Sequence, residues 1–147
     1  MLAGADLREL DLAGADLHAA TLFEANLGWG SLEGANLEGA DLRRCSLEGC
    51  NLAGARLDGA QMEWANLRHA NLRRSSLRQV SLRCGILESA DLREADLEGA
   101  YLERAILRDA DLTGAIFRGA SLVEADFRWA QYQGAEFADT DLTRALM

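Results

Sequence analysis

The residues of this sequence that could do chemistry are its thiols, its imidazoles and its carboxylates. The three cysteines, Cys45, Cys50 and Cys84, are odd in number and lack the spacing of a disulfide framework or a zinc site. The histidines His18 and His69 each stand alone. The acidic residues recur at regular spacing, without a Ser-His-Asp set or a glycine-rich phosphate loop. We therefore expect no enzymatic activity, no metal site and no cofactor, and we interpret Cys45 and Cys50 as small hydrophobic residues.

The composition is that of one acidic domain. The chain has 147 residues, of which 49% are hydrophobic and can form a core, and no stretch is typical of a linker, so we expect a single domain over residues 1–147. The net charge is -9 and every basic residue is arginine. An acidic chain disfavours direct nucleic-acid binding, no apolar run approaches the ~20 residues that span a membrane, and no signal peptide is evident. We expect a cytoplasmic protein.

A five-residue repeat runs through the whole sequence. A large apolar residue, here called the centre, occupies every fifth position from Leu2 to Met147; a small residue lies two positions before it, and Asp, Asn or Ser usually lies between. Five residues advance an α-helix by ~500°, which would scatter the centres around its axis, and an odd period alternates the faces of a flat strand. The centres share one core only if the chain turns a corner every five residues and its coils stack about 4.8 Å apart. This pattern indicates an all-β solenoid.

The glycines indicate how many sides the solenoid has. Eleven glycines lie two residues after a centre; nine of them fall in two of the four classes of a twenty-residue period, whereas a fifteen-residue period spreads them evenly. Four pentapeptides per coil, and about seven coils, follow from this count. Because the third residue of a type II turn has positive φ and favours glycine, we expect type II turns on the two glycine-rich faces. On the other two faces, where Trp29, Trp64 and Trp129 lie, we expect turns without positive φ.

The charges that follow the centres support the same period. They alternate in sign down three faces, which predicts ladders of ion pairs worth about 0.2–1 kcal/mol for each exposed pair. The three series are Arg43, Glu63, Arg83, Glu103; Glu48, Arg68, Glu88, Arg108; and Asp58, Arg78, Glu98, Arg118.

These repeats resemble the pentapeptide repeat proteins, whose motif is Ala, then Asp or Asn, then Leu, then two variable residues. The motif stands here as Ala5-Asp6-Leu7-Arg8-Glu9, Ala25-Asn26-Leu27-Gly28-Trp29 and Ala95-Asp96-Leu97-Glu98-Gly99. The resemblance covers essentially the whole chain and implies a right-handed quadrilateral β-helix, a square solenoid. It implies little about function, because the family is broad.

One branch of that family resembles B-form DNA in size and charge, binds type II topoisomerases and protects them from quinolones or peptide toxins. This sequence departs from the branch, because no loop interrupts the repeat and no helical segment follows it. Its four faces carry net charges of -1, -2, -2 and -4, so none is the continuous acidic stripe expected of a mimic of the phosphate backbone.

A belt of arginines encircles one coil. The sequence has no acidic residue between Glu63 and Glu88, and such a belt could hold an acidic partner or a phosphorylated ligand. The alternative is that two of these arginines only complete the charge ladders. The belt consists of Arg68, Arg73, Arg74, Arg78 and Arg83.

An apolar group lies along one corner of the square. It consists of Trp64, Cys84, Ile86 and Ile106, and the two isoleucines occupy a position usually held by Asp or Asn. We expect this position to be largely exposed, and a clustered exposed patch indicates contact with a partner. Simple tolerance of scattered apolar surface residues is the alternative.

The C-terminal coils replace leucine by aromatic residues. Phe127, Tyr132 and Phe137 would form an aromatic end plate beside unpaired strand edges, which favours a homodimer through this end. The repeat holds from Leu2 to Met147 without a visible cap, so part of a longer array or an engineered repeat is an alternative.

The sequence thus predicts a non-enzymatic scaffold or protein-interaction module with an unidentified protein partner. The first alternative is a DNA-mimicking modulator of DNA gyrase, and the second is a structural or engineered repeat without a specific partner. The candidate partner-binding residues are Trp64, Ile86, Ile106, Arg68, Arg73 and Arg74.

Overall fold

The chain winds into a square coil with a period of twenty residues. The computed structural model of the protein describes residues 2–147. One residue of each pentapeptide forms a parallel bridge with the residue twenty positions away, from Asp6–Asn26 to Asp126–Leu146. Four pentapeptides therefore make one coil, and the fold is a right-handed quadrilateral β-helix of about seven coils, as predicted.

The β-structure consists of single bridge residues at every fifth position from Asp6 to Leu146. Residues 2–147 contain no helix, and therefore none of the length and hydropathy required to cross a membrane. We number the four faces by their centres: face 1 contains Leu22 and Leu42, face 2 Leu27 and Leu47, face 3 Leu32 and Leu52, and face 4 Leu37 and Leu57.

Backbone hydrogen bonds join successive coils in one repeated pattern. The amide of Leu7 donates to the carbonyl of Asn26 at 2.7 Å, and the amide of Asn26 donates to the carbonyl of Ala5 at 2.9 Å. The amide of Glu9 donates to the carbonyl of Gly28 at 3.0 Å. Each corner adds a bond within the turn, such as Ala15 N–H to the carbonyl of Leu12 at 3.0 Å. Four of the five amides in a repeat thus have a backbone acceptor.

The fifth amide, which belongs to the residue after the centre, is bound by the side chain before the centre wherever that side chain is Asp or Asn. The amide of His18 donates to Oδ1 of Asp16 at 3.2 Å, and that of Gly28 donates to Oδ1 of Asn26 at 3.1 Å. An amide without a partner is costly where it is shielded from water, and short Asp and Asn side chains reach the backbone two residues on. This bond explains why Asp and Asn recur before the centres.

The core is a column of centres lined by small residues. From Leu22 to Phe127 every centre is buried, together with nearly all of the small residues two positions before them. Cys45 and Cys50 belong to this column, which confirms their interpretation as small hydrophobic residues, and burial raises the pKa of each thiol to about 12.

The turns differ from the sequence-based prediction. The residue two positions after the centre has positive φ at every corner, from +52° to +71°, including eighteen residues that are not glycine. The expectation of turns without positive φ on faces 1 and 2 is therefore wrong. The amide of this residue must donate to the next coil on every face, as Trp64 does to the carbonyl of Arg83 at 3.0 Å, so one backbone conformation is imposed on all four turns.

Candidate interaction surface

We call Trp64, Cys84, Ile86 and Ile106 the corner patch, because they lie where face 1 meets face 2. The turn holds Trp64 with 63% of its surface exposed. Ile86 and Ile106 bridge each other in successive coils, but both are half-buried rather than largely exposed. The expectation of largely exposed isoleucines is wrong, because the bridge position lies in the wall of the coil and is covered by the coils on either side.

The isoleucines of the corner patch forgo a recurring hydrogen bond. At the same position Asn66 accepts from the amide of Arg68 at 3.2 Å, and Asp126 accepts from the amide of Arg128 at 3.2 Å. A hydrocarbon side chain offers no such acceptor to the amides of Glu88 and Arg108. In two successive coils, apolar surface therefore replaces the polar contact that Asp or Asn makes at this position elsewhere.

Most of the arginine belt is engaged with the coil that follows. Arg68 Nε lies 3.0 Å from Glu88, Arg78 Nη2 lies 2.9 Å from Glu98, and Arg83 Nε lies 3.1 Å from Glu103. Arg74 Nε contacts Glu94 at 2.8 Å. The simpler interpretation of Arg78 and Arg83, that they complete charge ladders, is confirmed.

The remaining ladder pairs form differently from the prediction. Arg43 binds Asp41 of its own repeat at 2.7 Å, and Arg108 binds Asp126 at 2.6 Å. Aspartates before the centres thus compete with the acidic residues after the centres for the same guanidinium groups. The alternation of charge predicted the sign of the neighbours correctly but not the partner in each case.

Arg73 differs from every other arginine. Within residues 2–147 it is the one arginine without a carboxylate oxygen within 4.0 Å, since the other fourteen all form ion pairs. The sequence placed Arg73 in the belt and among the candidate partner-binding residues, but it did not predict that Arg73 would lack an ion pair.

The aromatic end contains both buried and accessible rings. Phe127 is 1% exposed, so its ring cannot contact a partner, and its assignment to a dimer surface is wrong. Tyr132 is 42% exposed and packs edge-on against Phe137, whose ring stacks on that of Phe117 with centroids 5.2 Å apart. A homodimer through Tyr132 and Phe137 stays a prediction.

Two further exposed tryptophans were not among the candidate residues. Trp29 and Trp129 are 63% and 71% exposed, and both occupy turn positions on face 2. The ring of Trp29 lies over Gly49 of the next coil, where a Cβ atom would come within 2.3 Å of it. The isolated glycine at position 49, outside the glycine-rich faces, was the sequence signal for this stacking.

The potential metal-binding side chains of the described residues are dispersed over the surface and the core. No group of three His, Cys, Asp or Glu residues among residues 2–147 is placed to hold a metal ion. Cys84 is half-buried, and the other two thiols are enclosed. The surface therefore offers recognition chemistry in the form of aromatic, apolar and guanidinium groups.

Comparison with known proteins agrees with this geometry. The profile of the family described as pentapeptide repeats matches in eight copies, over residues 2–39, 31–68, 45–83, 60–99, 86–122 and 120–145. HetL, a pentapeptide repeat protein involved in heterocyst differentiation regulation from the cyanobacterium Nostoc sp. strain PCC 7120, is 34% identical with a TM-score of 0.52. That match covers 99% of this chain and 75% of HetL. A comparison with curated protein sequences finds no match.

Two other solved structures are similar. A second pentapeptide repeat protein from Nostoc PCC 7120 is 32% identical, with a TM-score of 0.49, over 72% of this chain and 83% of its own. Full-length QnrB1, a plasmid-mediated fluoroquinolone resistance protein, is 16% identical, with a TM-score of 0.51, over 93% of this chain and 81% of its own. The likeness to QnrB1 concerns the fold alone. Since the repeat profile spans nearly the whole chain and HetL shares a third of its residues, this protein belongs to the pentapeptide repeat family.

Proposed function

We propose that this protein is a non-enzymatic scaffold that binds another protein through the corner patch. The observation that carries the proposal is the exposure of Trp64 beside the two stacked isoleucines. Tryptophan is enriched among the residues that dominate binding energy at protein interfaces. Membership of the pentapeptide repeat family supports a non-enzymatic repeat protein.

The loss of local stability at the patch supports a binding role. An Asp or Asn at position 86 or 106 would accept a hydrogen bond worth about 0.5–1.5 kcal/mol. Isoleucine instead leaves the amides of Glu88 and Arg108 without that acceptor. Ile116 lacks the same acceptor, but Ile86 and Ile106 are bridged in adjacent coils beside an exposed tryptophan. This clustering, more than the missing bond at either position, favours contact with a partner.

The backbone beneath the patch is suited to recognition. The amide of Trp64 donates to Arg83, and the carbonyl of Ala65 accepts from the amide of Ile86 at 3.0 Å. The turn is thus held by the next coil before any partner arrives. A surface that is ordered in advance loses little conformational entropy on binding.

The arrangement of charge favours this function over mimicry of DNA. Among residues 2–147, fourteen of the 24 acidic residues lie within 4.0 Å of a guanidinium nitrogen. The acidic residues without such a partner are distributed over all four faces. A decoy for the DNA backbone would instead present a regular series of unneutralised charges to its target.

A triple substitution tests the corner patch. In the variant Trp64→Gln/Ile86→Asn/Ile106→Asn, the two asparagines restore the acceptor used elsewhere in the repeat, so we expect the fold to be retained and the partner to be lost. Affinity capture from a lysate of the source organism, with quantitative mass spectrometry, compares it with the wild type. We expect the amount of a specifically captured protein to be at least tenfold lower with the variant than with the wild type. Circular dichroism verifies that the variant is folded.

Ile116→Asn is the matched control, because Ile116 occupies the same repeat position on face 4 and is also half-buried. It should capture the partner as the wild type does, and an equal loss in this variant would contradict a role of the corner patch. In parallel, we expect DNA supercoiling by purified gyrase to be unaffected by excess protein. Inhibition at low micromolar concentration would instead support the gyrase alternative.

A further inference from the structure

An open groove on face 3 is bounded by charged residues of opposite sign. Its volume is about 440 Å³; Glu33 lies at one end, Arg73 and Arg74 at the other, and Ala53 and Gly54 between them. These residues belong to three successive coils. Large side chains project from the coils on either side, but the middle coil has only Ala53 and Gly54 at these positions. The column of side chains on this face is therefore interrupted, and the resulting gap is the groove.

The side wall of the groove is a fixed row of amides. Asn71 Nδ2 donates to Oδ1 of Asn51 at 2.9 Å, and Asn51 Nδ2 donates to Oε2 of Glu33 at 2.9 Å. The same Oδ1 of Asn51 accepts from the amide of Ala53 at 3.2 Å. These bonds fix the two asparagine side chains and leave few of their donors and acceptors for a ligand.

Arg73 has no carboxylate in direct contact; Asp91 and Glu94 attract it only at longer range, and those two carboxylates are bound directly by Arg93 and Arg74. Arg93, directly above it, contacts Asp91 at 2.5 Å and Asp111 at 3.5 Å, and Arg74 beside it is bound by Glu94. Ala53, at the same position in the preceding coil, is uncharged. Across the described chain, a half-buried guanidinium without a carboxylate occurs here alone.

We propose that this groove is a recognition site for a carboxylate side chain, Asp or Glu, of a partner protein, bound by Arg73. The inference rests on the proposed function as a protein-binding scaffold and adds a second contact on face 3. A guanidinium offers two parallel N–H donors that match the two oxygens of a carboxylate. Because Ala53 has no long side chain, the partner's carboxylate has room to reach the N–H donors of Arg73.

The charges of the groove favour a monoanion over a phosphate group. Arg73 offers one guanidinium group without a direct ion pair, and the carboxylate of Glu33 at the opposite end would repel a second negative charge. A phosphate carries nearly two negative charges at neutral pH and would require another free cation. The neighbouring arginines are already neutralised by Glu94, Asp91 and Asp111.

The test follows the arginine side chains by NMR. Protein labelled with 15N at arginine is titrated with the peptide acetyl-Gly-Glu-Gly-amide, and the Nε–Hε signal of Arg73 is assigned with the variant Arg73→Gln. We expect a saturable shift of the Arg73 signal, with a dissociation constant on the order of 1 mM. The glutamine peptide, acetyl-Gly-Gln-Gly-amide, should bind at least fivefold more weakly.

Two further arms keep the test decisive. Ala53→Glu retains Arg73 but supplies a carboxylate from within the chain, so the peptide should no longer shift its signal while circular dichroism is unchanged. A peptide with phosphoserine in place of glutamate should bind no more tightly. The inference is overturned if Arg73 shifts no more than the paired Arg93 and Arg108, if the glutamine peptide acts equally, or if phosphoserine binds better.

The partner experiment separates this inference from the proposed function. Capture that is lost in the corner-patch variant but kept in Arg73→Gln would retain the scaffold function and overturn the groove. Capture that is lost in both variants supports both. If the wild type is a dimer by sedimentation and Arg73→Gln is a monomer, the occupant is a second copy of this chain, and the assignment to a different protein is wrong.

Discussion

At the scale of single residues, Asp126 shows how one side chain joins two coils. It is only 7% exposed; its Oδ2 accepts from Arg128 Nη2 at 2.8 Å and from Arg108 Nε at 2.6 Å, while Oδ1 accepts from Arg128 Nε at 2.9 Å. The hydrogen bonds from the Arg128 side chain, followed by those from Arg108, hold the pKa of Asp126 well below its ordinary value, although burial acts in the opposite direction.

Replacing Asp126 with Asn should lower the free energy of unfolding at pH 7 by about 1–3 kcal/mol, because hydrogen bonds between charged groups are lost. A carboxyl whose pKa is lowered by folding contributes stability above its unfolded pKa, near 4, and loses that contribution as the pH falls through the folded value. The difference between wild type and variant should therefore narrow below about pH 4. Urea denaturation at several pH values measures this difference.

Asp6→Asn is the control, since Asp6 forms the same pair with Arg8 at 2.7 Å with both side chains more than half exposed. Solvent screens such pairs, so this variant should unfold as the wild type does. A loss at Asp126 that does not change with pH would show that the side chain matters for packing and not for its charge.

At the scale of the pentapeptide, the turn is the strained element. Its third residue has positive φ whether or not it is glycine. For an L-residue with a Cβ atom, this conformation is less stable than the right-handed one by about 1–2 kcal/mol. The hydrogen bonds between coils compensate for this loss at each corner. Glycine is therefore preferred at the turn but is not required.

Gly39 and Gly49 separate backbone strain from side-chain contact. Both have φ near +63°, but a Cβ at Gly39 meets no atom within 4 Å whereas one at Gly49 meets the Trp29 ring. Gly39→Ala should lower the free energy of unfolding by about 1 kcal/mol through strain alone. Gly49→Ala should lower it further, because the indole must leave its place on the next coil.

The double variant Trp29→Ala/Gly49→Ala isolates the contact. In the Trp29→Ala background, the effect of Gly49→Ala should fall to that of Gly39→Ala, as a double-mutant cycle by chemical denaturation would measure. Equal effects of Gly49→Ala with and without Trp29 would refute the proposed stacking.

At the scale of the whole molecule, stability depends on contacts between adjacent coils. Within residues 2–147, bridges join only residues twenty positions apart, so each coil contacts the one before and the one after it. In such an array stability is approximately a sum over repeats and their interfaces. The effect of a core substitution should therefore depend on how many coils its position supports.

Leu67→Ala should be far more damaging than Leu12→Ala. Leu67 is completely buried in the middle of the column, and the cavity should cost about 2–5 kcal/mol. Leu12 is only partly buried against the core, so its loss should fray the first coils and leave the remainder protected. Hydrogen exchange followed by mass spectrometry measures protection coil by coil.

For Leu12→Ala, faster exchange should be limited to the first two coils. For Leu67→Ala, it should extend through the central coils on both sides of the substitution. If both variants lost protection uniformly, the solenoid would unfold as one cooperative unit and the nearest-neighbour description would be wrong.

The sequence by itself determined the fold: the five-residue period, the centres from Leu2 to Met147, the buried Cys45 and Cys50, and the coil of twenty residues. These could be predicted because every repeat has the same order of small, polar and large apolar residues, so the period is visible without knowledge of any contact. The same regularity predicted the belt and the corner patch as positions on a surface. It did not predict how exposed Ile86, Ile106 and Phe127 would be, since burial depends on the neighbouring coils.

Only the tertiary structure decided the turns and the ion pairs. Glycine at a few corners suggested two kinds of turn, but a common pattern of hydrogen bonds imposes positive φ on all of them. An arginine after a centre can reach an acid in its own repeat or in an adjacent coil, as Arg43, Arg78 and Arg108 do. Which acid an arginine binds depends on differences of a few ångströms in distance. The absence of an ion pair at Arg73 was therefore visible only in the three-dimensional structure.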